Sequence, residues 1–343
     1  MKRATARWAR PLGGAAVLGV VLWRLGGSGP GEAVRALDAG ALALAAAVGA
    51  VTTLCAAWRW RLVAHALGAD LSMTSAVGAC YRAQFVNVAV PGGVLGDVER
   101  GVTHGRDVAD VGRGVRTVAW ERAAGQVVLA GSTAVVLLAG SRTVALPAAS
   151  STATFAAIAG VVVAVVVVAV AVLAVASPTG HRAARLRDRG GRAVRLVVTE
   201  CRRLANVRTL LGVVTASLVV LAGHVATFLL AVSTVGVRMP LADLLPLTLL
   251  VLLVAGVPLN IAGWGLREGA AAWGFGAAGV GADRGLAVAV AYGALVLVAT
   301  LPGAVLLLAG RSRWLTTSAT ATRRRAAAHG PTSPDRPEVR LHG

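Results

Sequence analysis

Residues 154–176 read TFAAIAGVVVAVVVVAVAVLAVA, without one charged side chain. A helix rises about 1.5 Å per residue, so such a run crosses the ~30 Å hydrocarbon core of a bilayer. In a soluble fold it would demand burial on every face. Further apolar runs occupy about 39–58, 117–140, 209–235, 241–256, 261–280 and 285–309, and a shorter one follows the basic start of the chain at 12–26. The chain is 56% hydrophobic and 14% charged. These features predict an all-α, polytopic membrane helix bundle over residues 1–310, with an uncleaved first helix.

The net charge is +19. Nucleic acid is excluded as the reason, because the basic residues sit in short loops between apolar runs and in the tail. Residues 177–208 alone carry nine arginines against Asp188 and Glu200. Cytoplasmic loops of membrane proteins collect such residues. With both termini inside a cell membrane, eight spans place 59–116, 177–208 and 311–343 in the cytoplasm. The run 71–90 then enters without crossing, as a re-entrant segment. Residues 311–343 read as a basic, disordered tail. Cys55, Cys80 and Cys201 have no metal-binding spacing and read as free thiols.

Two breaks interrupt the apolar pattern. Val90–Gly101 reads VPGGVLGDVERG, and Val257–Gly269 reads VPLNIAGWGLREG. Pro91 and Pro258 each stop a helix, and a glycine follows five residues later, Gly96 and Gly263. Paired interruptions in two halves of a membrane chain point to a binding site between half-repeats. They predict that the two prolines lie close together at membrane depth.

Charge at that depth must face a cavity or a partner. The candidate substrate-binding residues are therefore Arg82, Asn87, Pro91, Gly96, Asp97, Glu99, Arg100, Glu121, Arg122, Pro258, Gly263, Arg267 and Glu268. Arg100, Glu121, Arg267 and Glu268 are expected to converge on one polar pocket. Glu121, Gly125, Val128 and Ser132 share a helix face suited to a cavity wall or helix contact. Plainer readings exist for each: interfacial charge for Asp97, Glu99 and Arg100, bundle ion pairing for Arg267 and Glu268, and snorkelling for Arg82. His224, alone on an apolar helix, reads as a hydrogen-bonded packing residue. No motif of nucleophilic, metal or nucleotide chemistry occurs, so no catalytic residue, metal or cofactor is assigned.

Three blocks, WRWRLVAHALGADLSMTSAVGACYRAQFVNVAVPGGVLGDVERG, WERAAGQ and VPLNIAGWGLREGA, resemble the signature blocks of the lysylphosphatidylglycerol synthase transmembrane region, a flippase-like family. The resemblance covers about residues 40–310. Relatives include the membrane half of the multiple peptide resistance factor, linked to aminoacyl-phospholipid synthesis and translocation. These 343 residues hold no soluble aminoacyltransferase segment, so the resemblance implies lipid handling rather than lipid aminoacylation. The partner it implies is a membrane lipid, anionic or lipid-linked, and the leading reading is a lipid flippase. Two rivals stand beside it. One is a membrane transferase, for which Asp97 and Glu99 are the only acid pair. The other is a non-catalytic partner of a separate lipid synthase.

Overall fold

The computed structural model describes residues 30–89, 93–139, 186–256 and 266–328, with 186–194 and 310–328 described as backbone alone. Pro91, Pro258 and Gly263, and the expected spans at 12–26 and 154–176, lie outside the described residues. The described residues form helices only: α1 (Pro30–Arg35), α2 (Ala39–Ala66), α3 (Met73–Ala89), α4 (Leu95–Asp107), α5 (Val111–Leu138), α6 (Leu186–Leu204), α7 (Val207–Thr234), α8 (Leu241–Ala255), α9 (Leu266–Ala277) and α10 (Ala282–Ala328). Four of these contain stretches long and apolar enough to cross a membrane: Ala39–Ala66, Val111–Leu138, Val207–Thr234 and Ala282–Ala309.

Side-chain caps set three of the four starts. Asp38 Oδ1 accepts from Ala41 N–H at 2.7 Å, Asp110 Oδ1 from Arg113 N–H at 2.8 Å, and Asn206 Oδ1 from Arg208 N–H at 3.1 Å. Each satisfies a donor that the first helical turn leaves free.

Several boundaries differ from the hydropathy pattern. The second span continues past 58 to Ala66, taking in Arg59 and Trp60, both buried. Neither side chain opposes helix, and both find polar partners inside the bundle. The charged stretch 97–116 is no simple loop. Its first part is α4, which folds back along α3, and α5 begins at Val111. The last helix runs on to Ala328, into the segment read as a disordered tail. Residues 311–328 contain neither proline nor glycine, so nothing in the local sequence stops the backbone.

The runs at 241–256 and 261–280, expected as two spans, are α8 and α9, of 15 and 12 residues. The described parts reach about 22 and 18 Å. They pack on each other, Leu247 filling the space beside Gly274. This is a second helical hairpin, the counterpart of α3–α4. A hairpin and a pair of crossings both return the chain to the side it came from. The sidedness read from arginine is therefore unaffected by the difference.

The two hairpins belong to two equivalent units, α2–α3–α4–α5 and α7–α8–α9–α10. The contacts α4–α5, α3–α4, α2–α3, α3–α10, α2–α10 and α2–α5 each have a counterpart in α9–α10, α8–α9, α7–α8, α5–α8, α5–α7 and α7–α10. Helices α2 and α7, equivalents of one another, meet at the centre. They run antiparallel: Gly223 lies against Thr52 and Val48, and Gly212 against Leu62 and Trp58. The axis relating the units therefore lies across the helices, as in an inverted repeat.

Counted from the start of each helix, Glu121 and Tyr292 both fall on the eleventh residue. The quoted sequence blocks set Glu99–Arg100 against Arg267–Glu268. Packing instead sets Gly101 against Ala271, and so Asp97 against Arg267. A Cβ on Gly114 would strike the backbone of Gly101 and Gly105, and one on Gly285 would strike Ala271 and Phe275.

The main apolar core lies around the second unit, where Phe228, Phe275, Tyr292 and Leu295 are all buried. The first unit builds its centre from a polar network.

Candidate functional site

Close backbone approach makes the first hairpin. A Cβ on Gly96 would run into the backbone of Ala83, so only glycine lets α4 lie this near α3. The same approach lets Asn87 bridge the tip. Its Oδ1 accepts from Gly96 N–H at 2.8 Å, and its Nδ2 donates to Asp97 Oδ2 at 2.9 Å. One turn further along α4, Arg100 points into the bundle. Nη1 donates to Cys80 Sγ at 3.2 Å, Nη2 donates to Asp97 Oδ1 at 2.9 Å and to Glu121 Oε2 at 2.8 Å, and the guanidinium lies 4.6 Å from the Trp60 ring centroid.

Glu121, from α5, is the hub. Oε2 takes Arg100, while Oε1 takes Nε of Arg59 at 2.9 Å together with its Nη2. Arg59 also donates from Nη1 to Ser217 Oγ on α7, at 3.0 Å. Gly125 makes room for that guanidinium, one turn beyond Glu121 on the small-residue face. Arg122 closes the set, donating from Nη2 to Asp97 at 2.8 Å. Charge-assisted bonds of this kind are strong inside a protein, and a buried ion is tolerated only with such partners.

Of the residues expected to form a site, Asn87, Gly96, Asp97, Arg100, Glu121 and Arg122 come together here. Arg82 and Glu99 do not. Arg82 is half-buried beside Gly78, and Glu99 is exposed and accepts from Thr103.

The second unit holds a smaller set. Arg267 pairs with its neighbour Glu268 and lies 5.5 Å from the Tyr292 ring centroid, in the space left by Gly293. The Tyr292 hydroxyl shares a hydrogen bond of 3.0 Å with His224 Nδ1 on α7. His224 is thus the hydrogen-bonded packing residue its surroundings suggested. Arg267 and Glu268 pair with each other at adjacent positions. Gln126 on α5 joins the units, donating to the carbonyl of Gly256 at the end of α8 at 3.2 Å.

Arg59 and Cys80 are network members that the sequence did not single out. Arg59 sits in Trp58–Trp60 at what hydropathy reads as a span end, and nothing local distinguishes it from an interfacial arginine. Trp120 Nε1 donates to Glu200 Oε2 at 2.8 Å, while Arg116 Nε donates to Oε1 at 2.8 Å, tying α6 to α5. Cys55, Cys80 and Cys201 are free thiols, as expected. Among the described residues no group of acids, cysteines and histidines is arranged to hold a metal ion.

An all-helical bundle with membrane-length apolar spans and charged groups ion-paired in its interior defines an integral membrane protein. Residues 8–303 match the family model of the lysylphosphatidylglycerol synthase TM region, and the chain belongs to that family. No curated protein and no solved structure matches it.

Proposed function

We propose that this protein moves a polar-headed or anionic lipid between the leaflets of the cell membrane, with both termini cytoplasmic. The observation that carries the reading is the exchange of two equivalent units about an axis across the helices, each with a packed pair of short helices and its own charged group. Inverted units of this kind suit alternate opening to the two faces around a central site. The family name ties relatives to lipid synthesis, which fits a lipid as cargo. The transferase reading draws less support. Asp97 is held by Asn87, Arg100 and Arg122, and Glu99 is exposed beside Thr103, so the two acids stand in different surroundings.

Purified protein in vesicles carrying fluorescent lipids, with one leaflet quenched chemically, tests the reading. Faster loss of the protected signal than in protein-free vesicles, for at least one polar-headed lipid, is expected. Identical rates across a panel of neutral, anionic and lipid-linked head groups would remove it.

A further inference from the structure

The sides of helix α6 meet the rest of the protein unequally. Glu200 is buried, and its two oxygens take Trp120 and Arg116 of α5. Leu204, one turn on, packs against Val63 and Leu67 at the end of α2 and against Val213 of α7. Residues four apart share a helix face, so this side docks on the bundle.

The adjoining side is apolar but uncovered. Cys201 follows Glu200 by one residue, about 100° round the helix. Val198 stands three residues before it, on the same side. Cys201 is exposed, and Val198 is 42% exposed. Beyond them comes a third strip, Arg195 and Arg202, seven apart and both exposed. Arg203 is exposed too, but lies about 100° further round than Arg202, away from the apolar strip.

The chain around α6 says what covers the apolar strip. The membrane-length span α7 begins at Val207, three residues after Leu204. Its first side chains include exposed Val207, Leu210 and Leu211, so uncovered apolar surface continues from α6 into a span. Residues 186–204 hold six arginines against Asp188 and Glu200, and Glu200 is engaged by α5. An apolar strip beside a cationic one is the pattern of a helix lying in the plane of a membrane interface. Anionic lipid strengthens such seating about fivefold for each arginine near the surface.

We infer that α6 lies on the bilayer surface beside the start of α7, with Val198 and Cys201 at the head-group boundary and Arg202 and Arg195 held by anionic lipid. Glu200 then moors α5, the helix that carries Glu121, to that surface. This surface is separate from the Glu121 network and does not depend on the transport reading.

Cys201 reports on the strip directly. The full chain, one copy per nanodisc, carries an environment-sensitive maleimide attached in detergent. Discs of phosphatidylcholine are compared with discs of phosphatidylcholine and phosphatidylserine, and Cys201→Ser protein treated alike gives the background of the other thiols. Bluer emission and slower quenching by acrylamide are expected in the anionic discs, fading as salt is added. Arg202→Gln should lower the ratio of seated to unseated helix there about fivefold. Arg203→Gln should lower it less, and Val198→Ser should weaken seating in both kinds of disc. All three substitutions change exposed side chains, so the fold is retained. Equal emission and quenching in the two discs, or equal effects of the two glutamines, would overturn the inference. Protection that appears only when two copies share a disc would assign the strip to self-association and overturn it as well. None of these readouts requires a lipid to cross, so seating and transport succeed or fail separately.

Discussion

Arg59 Nε lies 2.9 Å from Glu121 Oε1, although 62 residues separate them in the chain. Glu121 is also held by Arg100, so one carboxylate joins the central helix α2, the hairpin arm α4 and the span α5. Substituting Glu121→Gln leaves two buried guanidiniums facing a neutral amide. Breaking a buried ion pair from one side costs roughly 3–5 kcal/mol. A large drop in the unfolding temperature of the detergent-solubilised protein is expected. An unchanged melting curve would show that Arg59 and Arg100 have other means of compensation.

Arginine geometry gives a second prediction. Arg59 uses Nε, Nη1 and Nη2 on two partners, an arrangement that one ammonium cannot reproduce. Arg59→Lys should lower stability by about 1–3 kcal/mol, the scale of lost hydrogen bonds to charged groups. Lysine at Arg82, which has no ion-pair partner among the described residues, should leave the unfolding temperature close to wild type. Equal effects at the two positions would mean that charge alone matters at Arg59.

The glycines at close approaches should behave unlike a glycine in open space. At Gly96 and Gly285 an added Cβ meets backbone, whereas at Gly131 nothing lies within 4 Å. Overpacking costs roughly 1–3 kcal/mol, so Gly96→Ala and Gly285→Ala should each destabilise. Gly131→Ala should be neutral or stabilise slightly, since alanine favours helix by about 1 kcal/mol over glycine. Thermal unfolding of the three variants side by side checks the ranking.

The axis between the units can be tested by cross-linking. A Cβ at Gly223 would lie 3.3 Å from Val48 Cγ1, across the antiparallel α2–α7 contact. With the three native cysteines replaced by serine, Val48→Cys with Gly223→Cys should form a disulfide on mild oxidation, read as a faster-migrating band. Val48→Cys with Leu210→Cys, displaced along α7, should not. The reverse outcome would require a different α2–α7 register.

Cys201 offers a native probe of sidedness, being exposed on α6 where Cys80 is buried. With Cys55 and Cys80 replaced by serine, an impermeant maleimide should spare Cys201 in intact cells and label it after permeabilisation. Labelling from outside would reverse the orientation read from the arginine-rich loop.

The sequence by itself determined the class. Long apolar runs leave a helical membrane bundle as the way to satisfy every backbone group in lipid. The paired prolines, glycines and charges marked where the regular helices stop, and Asn87, Asp97, Arg100, Glu121 and Arg122 were legible because polar and charged groups within an apolar pattern are conspicuous. Tertiary structure decided what hydropathy could not resolve. An apolar stretch reads alike whether it crosses the bilayer or forms one arm of a hairpin, so the packing of α8 on α9 was not visible in hydropathy. Arg59 resembled an interfacial residue until α2 continued past it and Glu121 arrived from 62 residues away. The equivalence of Gly101 with Ala271 was hidden for the same reason: backbone contacts at Gly114 and Gly285 set the helix register, and no local sequence match reports them. Which partner a buried charge meets is a property of packing between distant segments, and only the folded chain fixes it.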